Sequence, residues 1–424
     1  MSSPLATEIL RTELANGLGI VLHPDPRLPL VALNLWYHVG SKNEHPGRTG
    51  LAHLFEHMLF QGSEHVDTNG HFRHLQGVGG VANGSTWYDR TNYYETVPSS
   101  RLDLALWLES DRMGFLLPAL TQGKLDNQRE VVLNERRQRV DNQPYAKPYE
   151  RLFELLLPAE HPYQWPVIGR AEDIAAATLQ EVRDFFAAWY RPANAVLTLA
   201  GDFAPEHALE RIEHWFGGLP GGPVPPRRHW PLPPLEGPIR ATVEDEVQLP
   251  RVYCAFRTPA FGSAPWFAGA LLTAALADGK TSPLYRDLVW DRQLAQEAGA
   301  YLYPTEEIGV LVAWATARPG VELERLTEAL WGHLECAAAP PSSGDLRRAL
   351  HNTLAALWSE LESLDERADR LSMYATLCAR PELAWSEADR YRALTPESIA
   401  EFGALHLRRQ HGVELAVVPR SAPR

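Results

Sequence analysis

The sequence predicts an α+β fold of two homologous domains, each a mixed, mainly antiparallel sheet packed against helices. Three observations carry this expectation. The chain has 424 residues, too many for one ordinary core and suited to two domains of about 200 residues each. Gly217 to Gly237 holds seven of the 34 prolines and several glycines, which makes an extended linker near the middle. Strand and helix signals then recur in the same order on either side of it. The expected division is an N-terminal domain at 1–216, the linker at 217–237 and a C-terminal domain at 238–424.

In the first half, Glu8 to Leu14 is strand-like, and Asn16-Gly17 marks a hairpin turn before Leu18 to Leu22. Leu30 to Val39 is a long apolar strand suited to the centre of a sheet. Polar, Gly-rich residues 40–50 lead to a helix at Gly50–Phe60. A helix around Asn69–Leu75 is followed by Gly77-Val78-Gly79-Gly80, a loop expected to hold no helix. Val81–Trp87 and Asn92–Val97 read as a strand pair joined by Tyr88-Asp89-Arg90. Ser99 or Ser100 is the expected cap of an amphipathic helix through Met113, and helices follow at Gln122–Val140 and Tyr149–Leu157. Thr178 with Glu181 forms a capping box, Ala195–Ala200 is a strand, and Pro205–Phe216 is a helix.

The second half repeats this outline. Leu249 to Phe256 echoes Leu28 to Leu35, and Trp266 to Ala277 is a buried helix where the first half has Gly50–Phe60. Thr395 to Leu407, followed by Gly412 to Val418, echoes Thr178 to Ala200.

Composition narrows the function. Hydrophobic content of 45% and charged content of 22% fit a globular protein, and a formal net charge of −13 argues against nucleic acid and anionic membrane surfaces. Cys254, Cys336 and Cys378 match no zinc or redox spacing and read as buried free thiols of a reducing compartment. Met1 to Leu14 lacks a basic region followed by an apolar run, and no stretch of about 18 apolar residues exists, so a cytoplasmic location is expected.

The chemistry concentrates at Gly50–Phe60. On a helix His53 and His57 share a face with Glu56 and Phe60, while Leu51, Leu54, Phe55, Met58 and Leu59 fill the rest of the circumference. Two imidazoles and a carboxylate facing one way in a buried helix are costly unless they bind something, and one zinc ion per chain is the simplest occupant. The order His-x-x-Glu-His inverts the commoner zinc-peptidase motif.

A catalytic zinc takes three protein ligands, so a third is expected on another element. With Glu135 at zero and about 100° per residue, Gln128, Val131 and Val132 lie within about 60° of it, whereas Glu130 lies about 140° away. Glu135 is therefore the expected third ligand and Glu130 a solvated charge. Glu56 is left as general base toward a zinc-bound water, or else as a partner that orients a histidine.

These residues resemble the pitrilysin, insulin-degrading-enzyme and mitochondrial-processing-peptidase family, in its short bacterial branch. The resemblance runs through Gly40-Ser41-Lys42-Asn43-Glu44, Gly47-Arg48-Thr49-Gly50, Ala52 to Met58 and Arg129 to Glu135. It continues through Asn83 to Thr86, Asp89 to Tyr94, His161-Pro162-Tyr163 and Tyr190-Arg191-Pro192 to Asp202; the second half matches only in layout. It implies a zinc metalloendopeptidase that cleaves unfolded peptides, bound as an added strand in a closed chamber. By position that edge is Val81–Trp87, with Asn83 and Gly84 beside the scissile bond; the family usually has alanine at Gly84. Phe60 would line the neighbouring pocket, or is an ordinary core aromatic. Gln128 stands where the family often has a second glutamate. The family's substrate-gripping arginine and tyrosine align on Val289 and Gln296, with Arg286, Arg292 and Tyr301 nearby. The implied assembly is a heterodimer with a zinc-less homologue that supplies the grip, with a homodimer as second choice. The competing class is a non-catalytic chamber or assembly subunit.

Overall fold

Asn16-Gly17 closes the first hairpin, Gly17 taking a left-handed φ of 86° between β1 (Leu10–Glu13) and β2 (Gly19–Pro24). The computed structural model describes residues 8–228 and 230–420. Residues 1–7, the head of the Met1–Leu14 stretch, His229 of the linker and residues 421–424 lie outside the described residues. The chain continues through β3 (Leu30–Tyr37), α1 (Leu51–Met58), α2 (Gly70–Gly77), β4 (Val81–Thr86) and β5 (Thr91–Pro98). Next come α3 (Leu102–Phe115), α4 (Gln122–Arg136), α5 (Ala146–Leu156), α6 (Ala171–Ala176), α7 (Leu179–Trp189), β6 (Ala195–Gly201) and α8 (Pro205–Phe216). The first sheet has the order β1-β2-β6-β3-β5-β4, so β3 is interior as its apolar run predicts and β4 is terminal.

β3 is buried along almost its whole length because helices cover both faces. Val31, Leu33, Leu35 and Tyr37 join the core that contains Leu54, Phe55 and Met58 of α1. Ala32 packs instead against Ala368, on the helix Leu364–Cys378. On that same face Asp369 Oδ1 accepts from Asn34 Nδ2 (3.1 Å), Trp36 Nε1 (2.7 Å) and Asn92 Nδ2 (2.8 Å). Arg367 Nη1 donates to Asp25 Oδ2 (2.6 Å).

The second sheet, β7 (Ile239–Asp245), β8 (Arg251–Thr258), β9 (Ala295–Tyr303), β10 (Gly309–Ala317) and β11 (Gly412–Pro419), has the order β7-β11-β8-β10-β9. It matches β2-β6-β3-β5-β4 strand for strand: the first pair in each is parallel and the rest are antiparallel. α9 (Ala264–Ala277) stands between β8 and β9 as α1 stands between β3 and β4. The weak sequence repeat is thus a structural repeat.

The two compact units interleave in sequence. One comprises 1–136, 165–228 and 359–386; the other comprises 137–164, 229–358 and 387–424. A single boundary at the linker separates the two sheets but assigns α5 and the helix Leu364–Cys378 to the wrong units. Both follow their contacts rather than chain order, α5 with β8 and β11 and the later helix with β3 and β6.

Four smaller expectations change. Ser99 and Ser100 lie in a 3₁₀ turn and do not cap α3; Ser99 Oγ donates to Asp202 Oδ2 (3.0 Å). Gly77 still belongs to α2. Val131 is 41% exposed, because the buried stripe of α4 runs through Leu125, Gln128, Val132 and Arg136. Only Cys254 is a buried thiol; Cys336 is exposed and Cys378 half-buried. Among the described residues no helix is long and apolar enough to cross a membrane.

Candidate metal centre

α1 begins abruptly because Gly50 takes a φ of 86°, and its first amides need acceptors. Glu44 supplies them. Its Oε2 accepts from Gly50 N and its Oε1 from Ala52 N, both at 2.8 Å. Burial pushes this carboxyl up to about 8, while the two amide donors pull it down. The segment before α6 packs tightly on the same end: a Cβ on Gly169 would lie 2.4 Å from Gly50 Cα. Thr49 Oγ1 donates to Asp173 Oδ2 (2.6 Å). The histidine helix is thereby fixed at its start, two residues before His53.

The half-buried face of α1 carries His53, Glu56 and His57, with Phe60 in the turn two residues past the helix's end, and α4 packs against α1. Glu135 Oε2 lies 3.4 Å from His57 Nε2 and 3.7 Å from His53 Nε2. One donor atom from each of the three lies within 4.8 Å of the others. Separations of 3.4 and 3.7 Å exceed a normal N–H···O hydrogen bond. They approach the edge of a tetrahedron whose metal–ligand bonds are about 2.0–2.1 Å, roughly 3.3 Å. Two imidazoles and a carboxylate are also a zinc donor set, so these residues fit a zinc ion. Glu130 is exposed, as expected. Gln128 is buried on α4, where its amide donates to Asn127 Oδ1 (3.3 Å).

Glu56 sits beside this cluster. Its Oε2 accepts from Thr86 Oγ1 at 2.6 Å. Burial raises its carboxyl above the usual range; the Thr86 hydroxyl and the nearby His57 and Arg90 oppose that shift, and Glu135 adds to it. Gly84 lies directly over Glu56 and Phe60: a Cβ there would meet Tyr93 Cδ1 at 3.1 Å, Phe60 Cε2 at 3.2 Å and Glu56 Cγ at 3.3 Å. Asn83 is exposed and its Oδ1 accepts from Gly84 N (2.9 Å). Phe60 stacks on Phe72 (4.7 Å between centroids) and faces Tyr93 and His71, so it belongs to an aromatic cluster at the rim of the core.

The family model described as Insulinase (Peptidase family M16) matches residues 20–159, which include His53, Glu56, His57 and Glu135. The model described as Peptidase M16 inactive domain matches residues 176–353. Zinc protease PqqE of Helicobacter pylori is 30% identical over 366 residues, covering 85% of this chain and 82% of that protein. The chain belongs to the insulinase family, peptidase family M16. An uncharacterised zinc protease of Mycobacterium leprae is 28% identical over 74% of this chain and 70% of its own length. Among solved structures, a protease from Helicobacter pylori superposes with a TM-score of 0.91 at 27% identity, covering 97% of this chain and all of that one.

In family terms, the insulinase match contains the clustered donors and the inactive-domain match contains Val289 and Gln296. Val289 is buried among the apolar residues of the second core and Gln296 is exposed on β9, so neither position carries a cationic or phenolic side chain. Arg286 and Arg292 are exposed, and Tyr301 is half-buried. Two residues of the site escaped assignment from sequence. Glu44 and Thr86 both stood within motifs that carry the resemblance, but only the fold places their oxygens on Gly50, Ala52 and Glu56.

Proposed function

We propose that this chain is a zinc metalloendopeptidase that hydrolyses peptide bonds in extended, unfolded peptides. The observation that carries the reading is the convergence of His53, His57 and Glu135 from two helices, with Glu56 beside them under the terminal strand β4. His53, His57 and Glu135 would hold one zinc ion, which supplies the Lewis acid that makes water nucleophilic near neutral pH. The chain's own groups then do the rest. A peptide aligned along β4 pairs with its open edge, with Asn83 and Gly84 next to the bond to be cut. Glu56 accepts the proton of the attacking water and delivers it to the leaving amine nitrogen as the C–N bond breaks. Phe60 flanks the side chain of the peptide residue opposite Gly84.

The residues at Val289 and Gln296 support a second part of the proposal. Neither side chain offers the charge-assisted grip on a peptide backbone that the family's arginine provides. The active assembly is therefore a heterodimer with a zinc-less homologue that contributes an arginine and a tyrosine, and a homodimer is the second choice.

The test uses the purified chain, alone and mixed with a homologue encoded beside it, on an internally quenched peptide. Cleavage should be abolished by a chelator, restored by zinc, and lost in Glu56→Gln with bound zinc unchanged. A zinc-loaded protein inert under every pairing would leave the non-catalytic chamber as the better reading.

A further inference from the structure

The inner face of β4 makes two close contacts with α1 beyond the metal cluster. Gly84 and Thr86 are two residues apart and point the same way. Gly84 has Tyr93, Phe60 and Glu56 atoms at 3.1–3.3 Å from where a Cβ would stand, so the missing side chain lets the strand lie against α1. Thr86, one pleat on, reaches Glu56 Oε2 with its hydroxyl at 2.6 Å. Its backbone is fixed by pairing with Thr91 at the end of the ladder, and Trp87 N donates to Arg90 O (2.8 Å) across the turn. Thr91 Oγ1, which donates to Val39 O (2.9 Å), lies 3.5 Å from Thr86 Oγ1, so Glu56 Oε2 at 2.6 Å is the much nearer acceptor for the Thr86 proton. Arg90 Nη1 ties down the intervening residue through Ser85 O (2.7 Å) and Ser85 Oγ (2.6 Å).

We propose that Thr86 is a positioning residue for Glu56: its hydroxyl holds Oε2 so that Oε1 faces the attacking water. The proposal rests on the peptidase reading. In the step it serves, the water oxygen bonds to the peptide carbonyl carbon and its proton passes to Glu56 Oε1. That proton leaves with the amine when the C–N bond breaks. Thr86 gives up no atom; it keeps the carboxylate from rotating between proton uptake and delivery. A lone charge-assisted O–H···O bond suits this task because it is short and directional.

Two variants separate the hydroxyl from the shape of the side chain. Thr86→Val keeps the branched, strand-compatible form without the donor, and Thr86→Ser keeps the donor. Thr86→Val should lower kcat by about 10- to 100-fold, part of the 10²–10⁴ that a general base contributes, with KM and bound zinc unchanged. Thr86→Ser should restore most of the loss. Crystal structures of wild type and Thr86→Val should show the Glu56 carboxylate swung away from its wild-type position in the variant. A Thr86→Val protein with kcat within about twofold of wild type overturns the proposal, as does an unmoved Glu56 or a serine variant as slow as the valine one. Zinc lost in parallel with kcat also overturns it. A zinc-loaded wild type that cleaves nothing refutes the peptidase reading instead, and the position of Glu56 in the two crystals then decides the role of Thr86.

Discussion

Replacing Arg112 with methionine tests the ground on which the aromatics around Gly84 stand. Arg112 is 2% exposed on α3, its Nε donates to Glu109 Oε2 (2.8 Å), and Glu109 and Glu95 are 0% and 1% exposed. The guanidinium stacks over Tyr93 (4.1 Å) and Phe60 (5.1 Å), the two rings that bracket Gly84. Methionine retains the apolar stem, so the loss is chiefly the charge. Removing one partner of a buried ion pair costs about 3–5 kcal/mol because the other is left uncompensated. Protonation sets how much of that is felt. Burial already pushes the Glu109 carboxyl up to about 8 with Arg112 present, and Glu95 adds to the push. Without Arg112 it rises further, so the folded variant binds a proton that the unfolded chain releases near 4.5. Stability of Arg112→Met should then fall by about 1.4 kcal/mol per unit as pH rises toward the folded value. Wild type falls in parallel up to about pH 8, where its own Glu109 titrates, so the extra penalty opens above that and is larger at pH 9 than at pH 6. Glu109→Gln in the same background should recover a large share of it. Urea unfolding of the single and double variants at both pH values measures this. A single variant less than about 1 kcal/mol below wild type, or a penalty equal at the two pH values and unmoved by Glu109→Gln, refutes the reasoning.

Two further outcomes are expected. Glu135→Gln should abolish co-purifying zinc, measured by metal analysis of the folded protein, while Glu130→Gln on the exposed face of α4 keeps it; equal zinc in both would remove Glu135 from the donor set. His71 is held neutral by burial and by Arg112, with its pKa pushed down to about 3, so acidification below the unfolded value of 6.5 protonates only the unfolded chain. Its contribution is lost at about 1.4 kcal/mol per pH unit from there toward 3, opposed by the raised carboxyls of Glu95 and Glu109. Urea midpoints of wild type and His71→Gln between pH 7 and 4.5 isolate the histidine, and parallel curves would contradict it.

The sequence displayed the periodic features well. β3, the hairpin at Asn16-Gly17, the capping box at Thr178 and the pairing of β4 with β5 all depend on neighbours in the chain, and each forms as expected. Helical phase placed Glu135 toward the histidines although it placed Val131 wrongly, because a phase error of about 65° matters less for a long carboxylate at the stripe's edge than for a short valine. What stayed hidden depends on distant partners. Nothing local marks Glu44 as the acceptor for α1, Thr86 as the partner of Glu56, or Asp369 as the acceptor for Asn34, Trp36 and Asn92. The exchange of helices between units is hidden for the same reason, since an amphipathic helix declares that it will be covered and not by which sheet.

The repeated topology separates what the scaffold supplies from what the side chains supply. In both units a helix follows an interior strand and lies against a terminal strand, α1 against β4 and α9 against β9. In the second unit the hollow at that position has a volume of about 450 Å³ and is lined by Trp266, Thr273, Tyr301 and Trp314, with Asp278 as its one carboxylate and no histidine. The same strand–helix–strand arrangement therefore carries a cluster of metal-ligand candidates in one unit and a hollow without histidine in the other. Polar donors in such a place cost free energy in proportion to their burial. α9 largely avoids that cost, lining the hollow with Trp266, Ala270, Ala274 and Ala277 beside a single threonine, Thr273. α1 incurs it at His53, Glu56 and His57, a cost that the proposed zinc site would offset.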